Sequence, residues 1–120
     1  MKKAYKKVDF PTEKIRKFLE PGPIVLVSSR WEGKENIMTM GWHTVFEFSP
    51  SLVGCMITAE NHSFDMIEKS GECVINIPTV DLIDEIIGIG NSSGADTDKF
   101  NKFGLTAEKA SIVKAPLIKE

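Results

Sequence analysis

Apolar residues along this chain recur first at helical spacing, then in short runs, then at helical spacing again. In "PTEKIRKFLE", Ile15, Phe18 and Leu19 fall on one side of a helix that ends at Pro21-Gly22-Pro23. "PIVLVSS", Pro23 to Ser29, is short, apolar and β-branched, as a buried strand is. "RWEGKE" turns around Gly33, and "NIMTMGWHTVFEF" (Asn36 to Phe48) reads as a second strand, with Gly41 at a bulge or close approach. "SLVGCMIT", Ser51 to Thr58, follows as a third. "ENHSFDMIEKSGE" returns to helical spacing, opening on capping residues and closing at Gly71. "ECVINIP" is a fourth strand, and "TVDLIDEIIGIG" a half-buried helix with Leu82, Ile83, Ile86 and Ile87 on one side. "NSSGADTDKFNKFG" is a polar loop leading into one helical turn, and "ASIVKA" reads as the last strand.

Short links between the early strands require antiparallel pairing. A small chain must also protect its sheet edges, so the expected class is mainly β: a β-barrel with helices on its outside. Five strands are few for closure, so a partner chain or further sequence is expected to complete it. The 120 residues fit one domain, 1–120, and the 42% hydrophobic and 27% charged composition is that of a globular chain.

A formal net charge of -2 gives no bulk attraction to nucleic acid or an anionic membrane. No run approaches the roughly 20 apolar residues of a membrane span, and charge interrupts the N-terminus where a signal peptide would be apolar. A cytoplasmic protein with neither nucleic acid nor membrane as partner is the expectation. Cys55 and Cys73 each lie in an apolar run and read as buried and reduced. Without a Cys/His cluster no metal site is expected.

Three segments are candidates for chemistry. Alternation from Asn36 puts Met38, Met40 and Trp42 on its face and Ile37, Thr39, Gly41 and His43 on the other. Met and Trp suit an apolar slot for a flat ligand, Gly41 lets a ring approach the backbone, and Thr39 and Asn36 suit a polar rim. A methionine-rich core strand explains the same residues. "TAENHSF" feeds a helix N-terminus, a geometry that favours phosphate, with Asn61, His62 and Ser63 as donors; a plain N-cap explains it too. In "SSGADTDKF", Lys99 is either a phosphate contact or a surface lysine. Together, a ring slot and a phosphate end outline flavin mononucleotide (FMN).

In their order, "PGPIVLVSS", "NIMTMGWHT", "SPSLVGCMI", "NHSF", "SGECVINIP" and "DTDKFNKFGLT" resemble the flavin reductase-like family of FMN-binding split barrels, and within it the flavoredoxin-like branch. The resemblance implies a homodimer of split barrels that binds FMN near the subunit interface. It implies an NAD(P)H-dependent oxidoreductase that passes hydride or electrons between a nicotinamide, flavin and an acceptor. The alternatives are an FMN electron carrier with a protein partner and no NAD(P)H turnover, or a non-catalytic small barrel fragment. Met38, Thr39, Met40, Gly41 and Trp42 would line the ring, and Thr58, Asn61, His62 and Ser63 would hold the ribityl-phosphate end. Asn36 and Lys99 would assist. No side chain is assigned as catalytic, because the chemistry belongs to the flavin. Domains of the family usually run on past "KAPLIKE" with strands that finish the barrel, so this one is expected to be incomplete at its C-terminal side.

Overall fold

The structure, a computed structural model, describes residues 2–120. Its centre is a three-stranded antiparallel sheet in the order β2-β1-β5, from β1 (Val25–Trp31), β2 (Lys34–Met40) and β5 (Val74–Asn76). Glu32 and Gly33 join β1 to β2 with φ of 49° and 77°, the left-handed pair that lets a two-residue turn follow the twist of its strands. A second sheet pairs β3 (His43–Glu47) with β4 (Leu52–Cys55), and a third pairs β6 (Ala107–Glu108) with β7 (Leu117–Ile118). Small antiparallel sheets with helices on their flanks are the expected class, but the described residues do not join them into a closed barrel.

Both faces of the central sheet are covered where Val25 to Ser29 pairs with Asn36 to Met40, and there even the polar Ser28, Ser29 and Asn36 are buried. Val25, Val27, Met38 and Met40 share one face and pack with Leu19 from α1 (Arg16–Leu19). The polar end of that face, Ser29 and Asn36, lies under α2 (His62–Ser70): Ser29 Oγ approaches Met66 Sδ at 3.8 Å, and Asn36 Nδ2 donates to Ser63 Oγ at 2.9 Å. Leu26 and Ile37 face the other way, into a core with Leu82, Ile89, Phe100, Leu105 and Ile118. That core carries α3 (Ile83–Gly90) and α4 (Lys99–Lys102). Asn76 holds the far edge, accepting Ile118 N–H at 3.0 Å and donating to Leu26 O at 3.1 Å.

Two expected strands are corrected. Asn36 to Phe48 is not one strand: β2 ends at Met40 and the chain restarts at His43 in a different sheet. The expected alternation therefore holds only as far as Met40. "ASIVKA" forms bends rather than a strand, and Ile112 is 93% exposed. Its Lys114 and Ala115 N–H groups donate to the Glu72 carboxylate, at 2.6 and 3.2 Å, instead of to a strand, and the short hairpin forms on either side of the segment. Expected burial also fails at one cysteine, since Cys55 is exposed at the end of β4 while Cys73 is half-buried, both as free thiols. Among the described residues no helix is long and apolar enough to cross a membrane.

Candidate functional site

In the order β2-β1-β5, strand β2 has a free edge. Two cavities share residues of that strand. The first, of about 200 Å³, is polar and brings together Asn36, Met38 and Thr39 of β2, Asn61 and His62 at the start of α2, Ile89 and Gly90 at the end of α3, the Ser92–Gly94 loop, and Lys99. The second, of about 380 Å³, is more apolar and lies between Met40, Gly41 and Trp42 on one side and Met56, Ile57 and Thr58 on the other. Met38, Thr39 and Asn61 line both, so the two form one cleft with an apolar end and a polar end. Its size falls within the range of about 300–1,000 Å³ common for small-molecule sites.

The polar end has two unusual features. Lys99 is only 4% exposed, yet among the described residues no carboxylate pairs with it; its ammonium donates to Ile89 O at 3.1 Å. Burial pushes its pKa down, against a weaker upward pull from Asp96. Lysine is rarely buried without a partner, because taking an ammonium out of water is costly. Asp98 places it there by capping α4, its Oδ1 accepting Asn101 N–H at 3.1 Å. Asn36 is 2% exposed; its Nδ2 is taken by Ser63, and its Oδ1 has no partner. The Gly94 backbone packs so closely on this carboxamide that a Cβ at residue 94 would collide with it. A buried cation and a buried acceptor without a partner, on the wall of one cavity, make an arrangement completed by an anion that also carries a donor.

The remaining candidates divide by position. Asn61 accepts Ser63 N–H at 2.9 Å through Oδ1, so it is an N-cap, while its side chain also lines the cleft. His62 lines the polar end. Ser63 is corrected: it is 1% exposed, lines neither cavity and holds Asn36 from behind. Thr39 lines the cleft, but its hydroxyl is not a free rim donor, since it donates to Ile86 O at 2.6 Å and ties β2 to α3. Met40 is buried in the core, whereas Trp42 is 68% exposed at the apolar mouth. His43 has the structural role expected of it, its Nε2 2.6 Å from Pro23 O.

Sequence reasoning missed Ile24, Met56 and Ile57 at the apolar end, and Glu60, Ile89 and Gly90 at the polar end. Met56 and Ile57 are placed by the β3–β4 pairing, His43 opposite Cys55, together with the bond from Met56 N–H to Trp42 O at 2.9 Å. No local pattern reports that pairing.

Comparisons with known proteins identify the family and the fold. An uncharacterized protein from Archaeoglobus fulgidus is 36% identical over 86% of this chain and 58% of its own. An FMN-binding domain of a flavin reductase-like enzyme from Shewanella baltica superposes with a TM-score of 0.86 at 28% identity, over 91% of this chain and 58% of that one. Flavoredoxin from Desulfovibrio vulgaris superposes with a TM-score of 0.79 at 25% identity, over all of this chain and 62% of that one. The chain thus spans little more than half the length of the curated relatives it matches. The family model for the flavin reductase like domain matches residues 17–120, and the chain belongs to that family.

Proposed function

We propose that the cleft along β2 binds FMN, with the isoalloxazine at the apolar end and the phosphate at the polar end, and that the protein is an NAD(P)H-dependent flavin reductase-like oxidoreductase. The observation that carries this reading is the buried Lys99, in no salt bridge, near the unpartnered Asn36 Oδ1 on the wall of one cavity, at one end of a cleft whose other end is apolar. These residues fit the group. Lys99 offers a charge-assisted donor to a phosphate, and His62 adds a second polar group beside it. Asn36 Oδ1 accepts from a ribityl hydroxyl or a protonated phosphate oxygen. Trp42 and Met56 offer apolar contact to a flat ring.

When bound, the flavin supplies the two-electron chemistry of accepting and releasing hydride. The chain positions it and excludes water. The β1–β2 ladder ends at the Val25–Met40 pair, so the N–H groups of Gly41 and Trp42 lie beyond it, as donors for negative charge on the ring. No acid–base dyad is required.

A homodimer belongs to the same proposal. Trp42, Phe46, Phe48, Leu52 and Met56, on and around the β3–β4 hairpin, are each at least half exposed, and a second copy would cover them. The likeness to a flavoredoxin supports a second reading, an FMN electron carrier reduced by a protein partner. The test is a visible spectrum and an FMN titration of the purified protein, followed by NADH and NADPH oxidation. Flavin bands with nicotinamide consumption support the enzyme, and bands without consumption support the carrier. A protein that stays colourless with added FMN refutes both.

A further inference from the structure

Beyond its polar end the cleft continues. A third cavity, of about 670 Å³, shares His62 and Gly94 with the polar end and no residue with the apolar end, so it adjoins the cleft at the polar end only. Its charge is opposite to that of Lys99. Glu35, Asp96 and Asp98 line it against a single cation, Lys34. Glu35 is partly offset by Arg30 at 3.6 Å, but among the described residues neither Asp96 nor Asp98 is in a salt bridge, although Asp96 acts on Lys99 at longer range. Both carboxylates are exposed and turned to local use. Asp96 accepts the Thr97 hydroxyl at 2.9 Å, and Asp98 caps α4.

A mononucleotide and a dinucleotide flavin differ only past the first phosphate. With the ring at the apolar end and that phosphate beside Lys99, a second phosphate continuing away from the ring would enter this third cavity, which adjoins the polar end at His62 and Gly94. There it meets carboxylates instead of the arginines, lysines or helix N–H groups that a pyrophosphate needs. We propose that Asp96 and Asp98 are specificity-determining residues that reject the dinucleotide, so that the site takes FMN in preference to FAD. This rests on the flavin reading above and goes beyond it, because binding FMN does not require rejecting FAD. The effect is repulsion between partly hydrated charges, so it is moderate and weakens with salt.

The experiment is a pair of titrations, FMN and FAD, followed by flavin fluorescence with the wild type and with the Asp96→Asn, Asp98→Asn double variant. Asparagine keeps both local roles, since it accepts the Thr97 hydroxyl and is as good an N-cap as aspartate. In the wild type at low salt, FAD should bind about tenfold more weakly than FMN. The double variant should close most of that gap by tightening FAD more than FMN, which also gains from losing Asp96 near Lys99, and salt near 0.5 M should narrow the wild-type gap. Asp84→Asn, on the exposed side of α3, controls for net charge and should leave the ratio unchanged. Equal wild-type affinities would overturn the inference and leave the FMN reading standing. So would a double variant with an unaltered ratio, or an equal shift with Asp84→Asn. Failure of both flavins to bind would instead remove the proposed function, and this inference with it.

Discussion

Replacing Lys99 by methionine separates binding from folding more cleanly than any other change. The ammonium is 4% exposed and makes one bond, to Ile89 O, which leaves two N–H groups for a ligand. A hydrogen bond to a charged partner contributes about 1.5–3 kcal/mol, so Lys99→Met should weaken FMN about 10- to 150-fold. Riboflavin has the same ring and no phosphate, and its affinity should change less than about threefold, because the apolar end is untouched. Stability should move the other way. Burial lowers the folded-state pKa below the ordinary 10.5, so between those two values the unfolded chain binds more protons than the folded one. Stability of the flavin-free wild type therefore rises with pH through that window, and below it the full cost of burying the ammonium is present. Methionine, similar in length and uncharged, removes that cost, so the variant should melt no lower than wild type at neutral pH and lack the rise toward pH 10.5. Fluorescence titration and thermal melts at several pH values provide both readouts. Equal weakening of FMN and riboflavin, or no weakening of FMN, would refute the role given to Lys99.

Ser63→Ala should act through Asn36. It leaves both ends of a buried carboxamide without partners and should cost about 1–3 kcal/mol in urea unfolding, a loss that a direct surface contact to phosphate would not produce. Gly94→Ala pushes a methyl into the Asn36 carboxamide; overpacking of this kind costs about 1–3 kcal/mol and should appear as a lower melting temperature together with weaker FMN binding. Trp42→Ala, at a position 68% exposed, should change stability by no more than about 0.5 kcal/mol while weakening FMN and riboflavin alike.

What the sequence made legible is local. Asn61 and Gly71 bound α2 as a cap and a left-handed stop, with φ of 71° at Gly71, and both signals are carried by single side chains or their absence. The Glu32-Gly33 turn is equally self-contained. Burial and pairing are not. In Asn36 to Phe48, Gly41 marks an irregularity, but nothing local shows that the chain changes sheets there instead of bulging within one strand. That break depends on β4 being available to pair with β3. "ASIVKA" fails because the Lys114 and Ala115 N–H groups are taken by the side chain of Glu72, a distant partner that its β-branched composition does not report. Lys99 looks like any surface lysine until α4 is docked on the Ile37 face and its stem lies beside Ile89. The candidate residues and their division into a ring end and a phosphate end were thus readable, while the burial of Ser63 and Lys99, and the place of Thr58 at the apolar end instead of the phosphate end, were not.

The same break accounts for the cleft. An edge strand offers unpaired N–H and C=O groups, which proteins ordinarily cover or pair. Had residues 36–48 continued as one strand, Trp42 would extend the central sheet and the β3–β4 hairpin would not turn back across the edge of β2. By leaving the sheet at Gly41, the chain brings Met56 and Thr58 opposite Met40 and Trp42. The starts of α2 and α4 and the end of α3 flank the polar half of the strand. The Thr39 hydroxyl, bonded to Ile86 O, fixes α3 against β2 and with it the position of Ile89, whose carbonyl holds Lys99. The edge is therefore flanked on both sides yet left open between them, so strand, cap and lysine form a single binding surface rather than three separate local features.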